Sequence, residues 1–189
     1  MITRGGSFSR VNRPQQGFTL LEVLISMFVL TVGLVSMLGV FATAMAATQS
    51  AQEDLVAKQL AQQAMETIYT ARGTANLTWD QIQNVGTAGS SGIFRTGLQG
   101  IKQPGTDGIY GSINDGSSAP ATMALPGPDG IVGTSDDIIM GFTNYQRSIT
   151  VLNTTSADLR SVAITIQYTT PQSRFPKTYV LSGLISQYR

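Results

Sequence analysis

Two twelve-residue stretches carry the densest run of side-chain oxygens in this sequence. Residues 104–115 read PGTDGIYGSIND and residues 126–137 read PGPDGIVGTSDD; nine of the twelve positions match identically or conservatively, at an offset of 22. The second copy offers the carboxylates of Asp129, Asp136 and Asp137. The first offers Asp107 and Asp115, with Asn114 between them in place of a third acid. Glycines let the backbone bend so that oxygens seven and eight residues apart converge. Hard cations such as Ca²⁺ take six to eight oxygen ligands from carboxylates, carbonyls and water. The spacing is not that of an EF-hand, whose oxygens fall on every second position. A bivalent cation is therefore one expectation, stronger at the second copy because Asn114 lowers the charge of the first. Two Pro-x-Asp-Gly turns with solvated acids are the other.

A different carboxylate stands alone. Residues 14–24 read PQQGFTLLEVL, and after Glu22 no charged residue occurs until Glu53. Residues 18–47 form an apolar run of 30, roughly 45 Å long as a helix. About 20 apolar residues suffice to cross a bilayer. Arg4, Arg10 and Arg13 precede the run and Glu53 and Asp54 follow it, which orients the N-terminus to the cytoplasm and the body outside. An acidic side chain at the centre of such a helix costs roughly 2.5–3.5 kcal/mol, and less near an end.

Much chemistry is excluded by composition. Cysteine and histidine are absent, which removes thiol and imidazole nucleophiles, Ser-His-Asp triads, Cys/His zinc sites and disulfides. No phosphate-binding glycine loop of standard spacing occurs. The chain carries 12 Lys+Arg against 11 Asp+Glu; without the three N-terminal arginines, 12 − 3 = 9 bases face the same 11 acids. A near-neutral body has no electrostatic footprint for nucleic acid.

Three readings compete for the N-terminus. A cleaved secretory signal would use Ala44-Met45-Ala46, but the apolar run is about twice the usual 7–15 residues. A plain membrane anchor leaves Glu22 unexplained. The third reading rests on Gly17-Phe18-Thr19-Leu20-Leu21-Glu22-Val23, which closely resembles the processing site of type IV pilins and type II secretion pseudopilins. The resemblance implies cleavage after Gly17 by a prepilin peptidase and methylation of the new N-terminal residue, Phe18. It also implies that Glu22, the fifth mature residue, pairs with the α-amine of an adjacent subunit. Two charges buried together are tolerable where one alone is not.

The elements that would position these groups follow from periodicity. Residues 48–73 are amphipathic: Val56, Leu60, Ala64 and Ile68 recur at four-residue steps, Met65 and Tyr69 widen the stripe, and Gly73 follows Arg72 as a stop. Residues 74–144 are rich in glycine and contain the repeat. Within residues 145–189, the runs 145–152, 161–168 and 177–186 read as antiparallel strands, with turns at Asn153-Thr154-Thr155 and Thr170-Pro171-Gln172. The expected organisation is thus a leader (1–17), a transmembrane and assembly helix (18–47), an amphipathic helix (48–73), a glycine-rich region and a sheet. The fold class is α+β, with a long N-terminal α-helix packed on a C-terminal antiparallel sheet. This arrangement is similar to pilin heads, and the strand spacing most resembles PilV-type minor pilins. The resemblance further implies a non-enzymatic subunit held in the inner membrane before assembly, with other pilin subunits and the inner-membrane assembly machinery as partners. Cell-surface pilus or periplasmic pseudopilus is its destination, and the second Asp-Gly copy is similar to the calcium loop of major pseudopilins. A type II secretion pseudopilin and a membrane-anchored sugar- or peptide-binding module are the alternatives.

Overall fold

The computed structural model describes residues 17–117, 119–170 and 174–188. The expected leader up to residue 16 and the turn residues Pro171 and Gln172 lie outside the described residues. The first element, α1, runs unbroken from Leu20 to Gly73. Its sequence has no proline, and its start is fixed by Thr19, whose Oγ1 accepts the Glu22 N–H at 3.2 Å. At the other end Thr74 N donates to Thr70 O before the chain turns away.

The chain divides into two compact units, residues 1–45 and 46–189. In the first, every residue from 20 to 45 is exposed, and the segment is apolar and long enough to cross a membrane. Its four hydroxyls are silenced within the helix. Ser26, Thr31 and Ser36 donate to the carbonyl four residues back, and Thr43 to the carbonyl of Val40. Such back-bonding leaves no hydroxyl proton to be satisfied by hydrocarbon.

The second unit is the head. From Ala57 the helix buries Ala57, Leu60, Ala61, Ala64, Met65, Ile68 and Ala71. The stripe is centred slightly off the expected one: Val56 is half-buried, and Tyr69 is exposed while its hydroxyl donates to Leu184 O at 3.0 Å. Alanine occupies four of the seven contact positions, so the sheet approaches closely. A Cβ on Gly183 would stand 2.6 Å from the Tyr69 hydroxyl.

The sheet against this face has the order β1–β4–β5–β6 and is antiparallel throughout, with β1 at Gln99–Gly100, β4 at Tyr145–Asn153, β5 at Leu159–Tyr168 and β6 at Lys177–Ser186. Alternation sets which side packs: Val162, Ile164, Ile166 and Tyr168 are buried, in register with Val151, Ile149, Arg147 and Tyr145. Each fully buried isoleucine contributes roughly 1.5–3 kcal/mol. The three expected strands are present, and β1 adds a fourth. A second sheet pairs β2 (Thr122–Leu125) with β3 (Ile138–Gly141) inside the glycine-rich region. Neither β1, two residues long, nor the unalternating TMAL and IIMG carries a periodic signal, because both depend on tertiary pairing.

Candidate functional site

The N-terminal residues that the sequence singles out sit together at the head of α1. Gly17 and Phe18 precede the helix, and Phe18 is 82% exposed. Glu22 is exposed in the first turn, where the helix dipole favours a negative charge. Thr19 is the residue missed in reading the sequence. Thr19-Leu20-Leu21-Glu22 has the spacing of a capping box, and the hydroxyl-to-Glu22 bond above is one half of it. Glu22 is therefore placed by local helix chemistry at the apolar segment's very start, a location at which a carboxylate is least costly. Among the described residues, nothing lies within 4 Å of where a Cβ on Gly17 would stand.

Residues 12–38 match the family described as the prokaryotic N-terminal methylation motif. This motif supports reading the N-terminal segment as that of a type IV pilin-like precursor. No curated protein and no solved structure matches the chain. The methylation motif together with the apolar helix supports membrane anchoring, and it supports a structural subunit rather than an enzyme.

The repeat proves to be a repeated structure. Each copy is a loop closed by antiparallel backbone. Gln103 N and Ala121 N donate to Ala119 O and Ile101 O around the first, and β2 and β3 bracket the second. The internal bonds coincide. Asp107 accepts from Ile109 N at 3.1 Å and Asp129 from Ile131 N at 2.8 Å; Asp115 accepts from Gly111 N at 2.5 Å and Asp137 from Gly133 N at 2.6 Å. Gly108 and Gly130 have φ of 68° and 72°, which is why glycine follows each first aspartate.

The copies differ in how their charge is met. In the first, the Asn114 amide donates to Asp107 Oδ2 at 3.0 Å, while Asp115 is buried, accepts from Gly105 N and lies 3.9 Å from Arg147. Burial pushes the Asp115 carboxyl above its usual range, against the pull of its Gly111 and Gly105 donors and of Arg147. The donor set of the first copy does not fit a cation: an amide and an arginine already stand there. In the second, Asp136 replaces the amide. Its Oδ2 faces Asp129 N at 3.3 Å, and the Thr134 hydroxyl, 2.5 Å from Oδ1, is the main reason its pKa lies below the ordinary value. Asp129 and Asp136 are exposed and no salt bridge reaches the three carboxylates among the described residues. Yet no group of three or more acidic side chains gathers as a metal site among those residues. Asp137 is held on Gly133 N, so the loop would have to turn it inward to complete a cage.

Proposed function

We propose that this chain is a filament subunit of minor-pilin type, stored in the inner membrane and assembled through α1 after cleavage at Gly17. The reading is supported chiefly by one conjunction: a methylation motif whose Gly17, Phe18 and Glu22 lead directly into an uninterrupted apolar helix that ends in a compact α+β head. In this reading the Phe18 amine freed by the prepilin peptidase pairs with Glu22 of the adjoining subunit. Apolar helices then bundle in the filament core, and their exposed side chains, including Leu24, Phe28 and Val35, exchange lipid for neighbouring helices. Detection of the protein in fibres sheared from cells tests it. Retention in the envelope, with secretion of other proteins lost when the gene is deleted, would instead identify a type II secretion pseudopilin.

The second copy of the repeat favours that runner-up, and we propose it as the calcium loop, with Asp129 and Asp136 as first ligands and Asp137 as the third. Its support is the contrast with the first copy, where an amide and an arginine do the neutralising.

A further inference from the structure

Among the described residues the head buries two arginines, Arg147 and Arg160, and treats them differently. Arg160 is satisfied: Nε donates to Asn153 Oδ1 at 3.1 Å, Nη1 donates to Trp79 O and Ile82 O, and the guanidinium stacks on the Trp79 ring at 4.1 Å. Arg147 is 4% exposed, and its Nε and Nη1 find no acceptor among the described residues. Its neighbours are the Asp115 carboxylate, too far at 3.9 Å for a hydrogen bond, and the Tyr110 ring at 5.1 Å. Burial lowers its pKa to about 10, so it remains a cation at neutral pH. An enclosed cation whose donors are unmet is costly, because the lost hydration is not replaced.

Arg147 lines a cavity of about 50 Å³ between the first loop copy and strands β1 and β4. Arg95 and Lys102 line it too, so three of the nine bases that follow Gly17 meet at one hollow whose lining has a single acid, Asp115. Both are held in place by carbonyls of the loop: Arg95 Nη2 donates to Ile113 O at 3.0 Å and Lys102 Nζ to Gly116 O at 2.6 Å. Gly111 and Gly116 keep the wall thin. A Cβ on Gly116 would lie 2.6 Å from Arg95 Nη2. The cavity exceeds the roughly 10–15 Å³ needed for one water and has the scale of a carboxylate or phosphate group.

We propose that this cavity binds a small oxyanion, a carboxylate or phosphate group, which Arg147 receives together with Arg95 and Lys102. A guanidinium offers parallel N–H donors that match two oxygens of such a group, and charge-assisted bonds of this kind are the strong ones. Binding would supply the charge that Asp115 supplies only at a distance. It requires neither calcium nor filament assembly, so it stands apart from both readings above.

The test uses the full-length protein in neutral detergent micelles, with ionic strength held constant by exchanging chloride for phosphate or for acetate. Thermal melting should rise saturably with phosphate, acetate or both; the anion that saturates identifies the chemical class. Lys102→Gln should weaken the apparent Kd roughly tenfold or more, as expected for losing one charged partner. Lys102→Arg should restore it, and Lys58→Gln, on the exposed helix surface, should leave it unchanged. Direct titration of the folded wild type by calorimetry gives the same constant without relying on any variant. Absence of saturable stabilisation by either anion, or equal weakening by Lys58→Gln and Lys102→Gln, would overturn the proposal.

Discussion

Asn114 donates its side-chain amide to Asp107 across 3.0 Å, and at the matching place in the second copy Asp136 stands opposite Asp129. The change of amide to carboxylate, together with the lack of an arginine like Arg147 beside the second copy among the described residues, leaves that loop with three acids. If a cation completes it, the intact protein in detergent should melt higher with millimolar calcium than with chelator. The gain is about 2.7 kcal/mol when calcium is a hundredfold above Kd. Asp136→Asn, which restores the first copy's amide, should abolish the difference while leaving the chelated protein as stable as before. Asp107→Ala should not touch the calcium response. Identical melting of the wild type with calcium and chelator would remove the cation from the account.

Tyr145 and Tyr168 stack at 5.4 Å beneath the helix, with their hydroxyls directed to Glu53 O and to Asp54 Oδ1. Burial first, and then the acids Glu53 and Asp54, push Tyr145 up to about 12, and burial followed by the Asp54 hydrogen bond raises Tyr168 further. Folded-state values raised above 10 stabilise the head fully below pH 10, and that contribution is lost as pH rises through about 12. Asp54 acts at the other end. Its pKa is lowered by the Tyr168 and Lys177 bonds, so its smaller, solvent-screened contribution fades as pH falls below about 3.8. Denaturant unfolding between pH 8 and 12 should show the alkaline loss, and Tyr145→Phe should flatten it.

Ile68 is fully buried between helix and sheet, whereas Val23 is 47% exposed on the apolar segment. Ile68→Ala should cost the head about 2–5 kcal/mol, by lost burial and a residual cavity. Val23→Ala should leave unfolding of the head unchanged. Chemical denaturation followed by the fluorescence of Trp79, the protein's one tryptophan, reads both.

Much of this was legible in the sequence. The long apolar run and the change to an amphipathic stripe fixed α1, and alternation in residues 161–168 fixed β5, because burial on one face imposes a period on the residues themselves. The contact alanines Ala57, Ala61 and Ala71 were not, since a small side chain reads the same on either face of a helix. The hairpin of β2 and β3 escaped because its strands are short and largely exposed. The repeat was visible as letters, but the unequal fates of its copies were not: Arg147, which sets them apart, lies 32 residues beyond Asp115. The methylation motif was legible because it is local to residues 12–38.

Glu22→Ala should still insert, since removing a carboxylate makes entry into hydrocarbon easier. Cleavage should also proceed, while incorporation into sheared fibres falls because the neighbour's amine loses its partner. Quantitative immunoblotting of fibre and membrane fractions separates the two effects. Wild-type incorporation of the variant would show that another contact recruits this subunit.

The central claim is that the segment around Gly17 is a processing and assembly signal, and the mass of the mature N-terminus tests it most directly. Intact and peptide mass spectrometry of the protein purified from membranes should find a chain beginning at Phe18 with an N-methyl group, and a Gly17 replacement by a bulky residue should leave the precursor uncut. A mature chain beginning at Ala47, or an uncut wild-type chain retaining Arg4, Arg10 and Arg13, would contradict it.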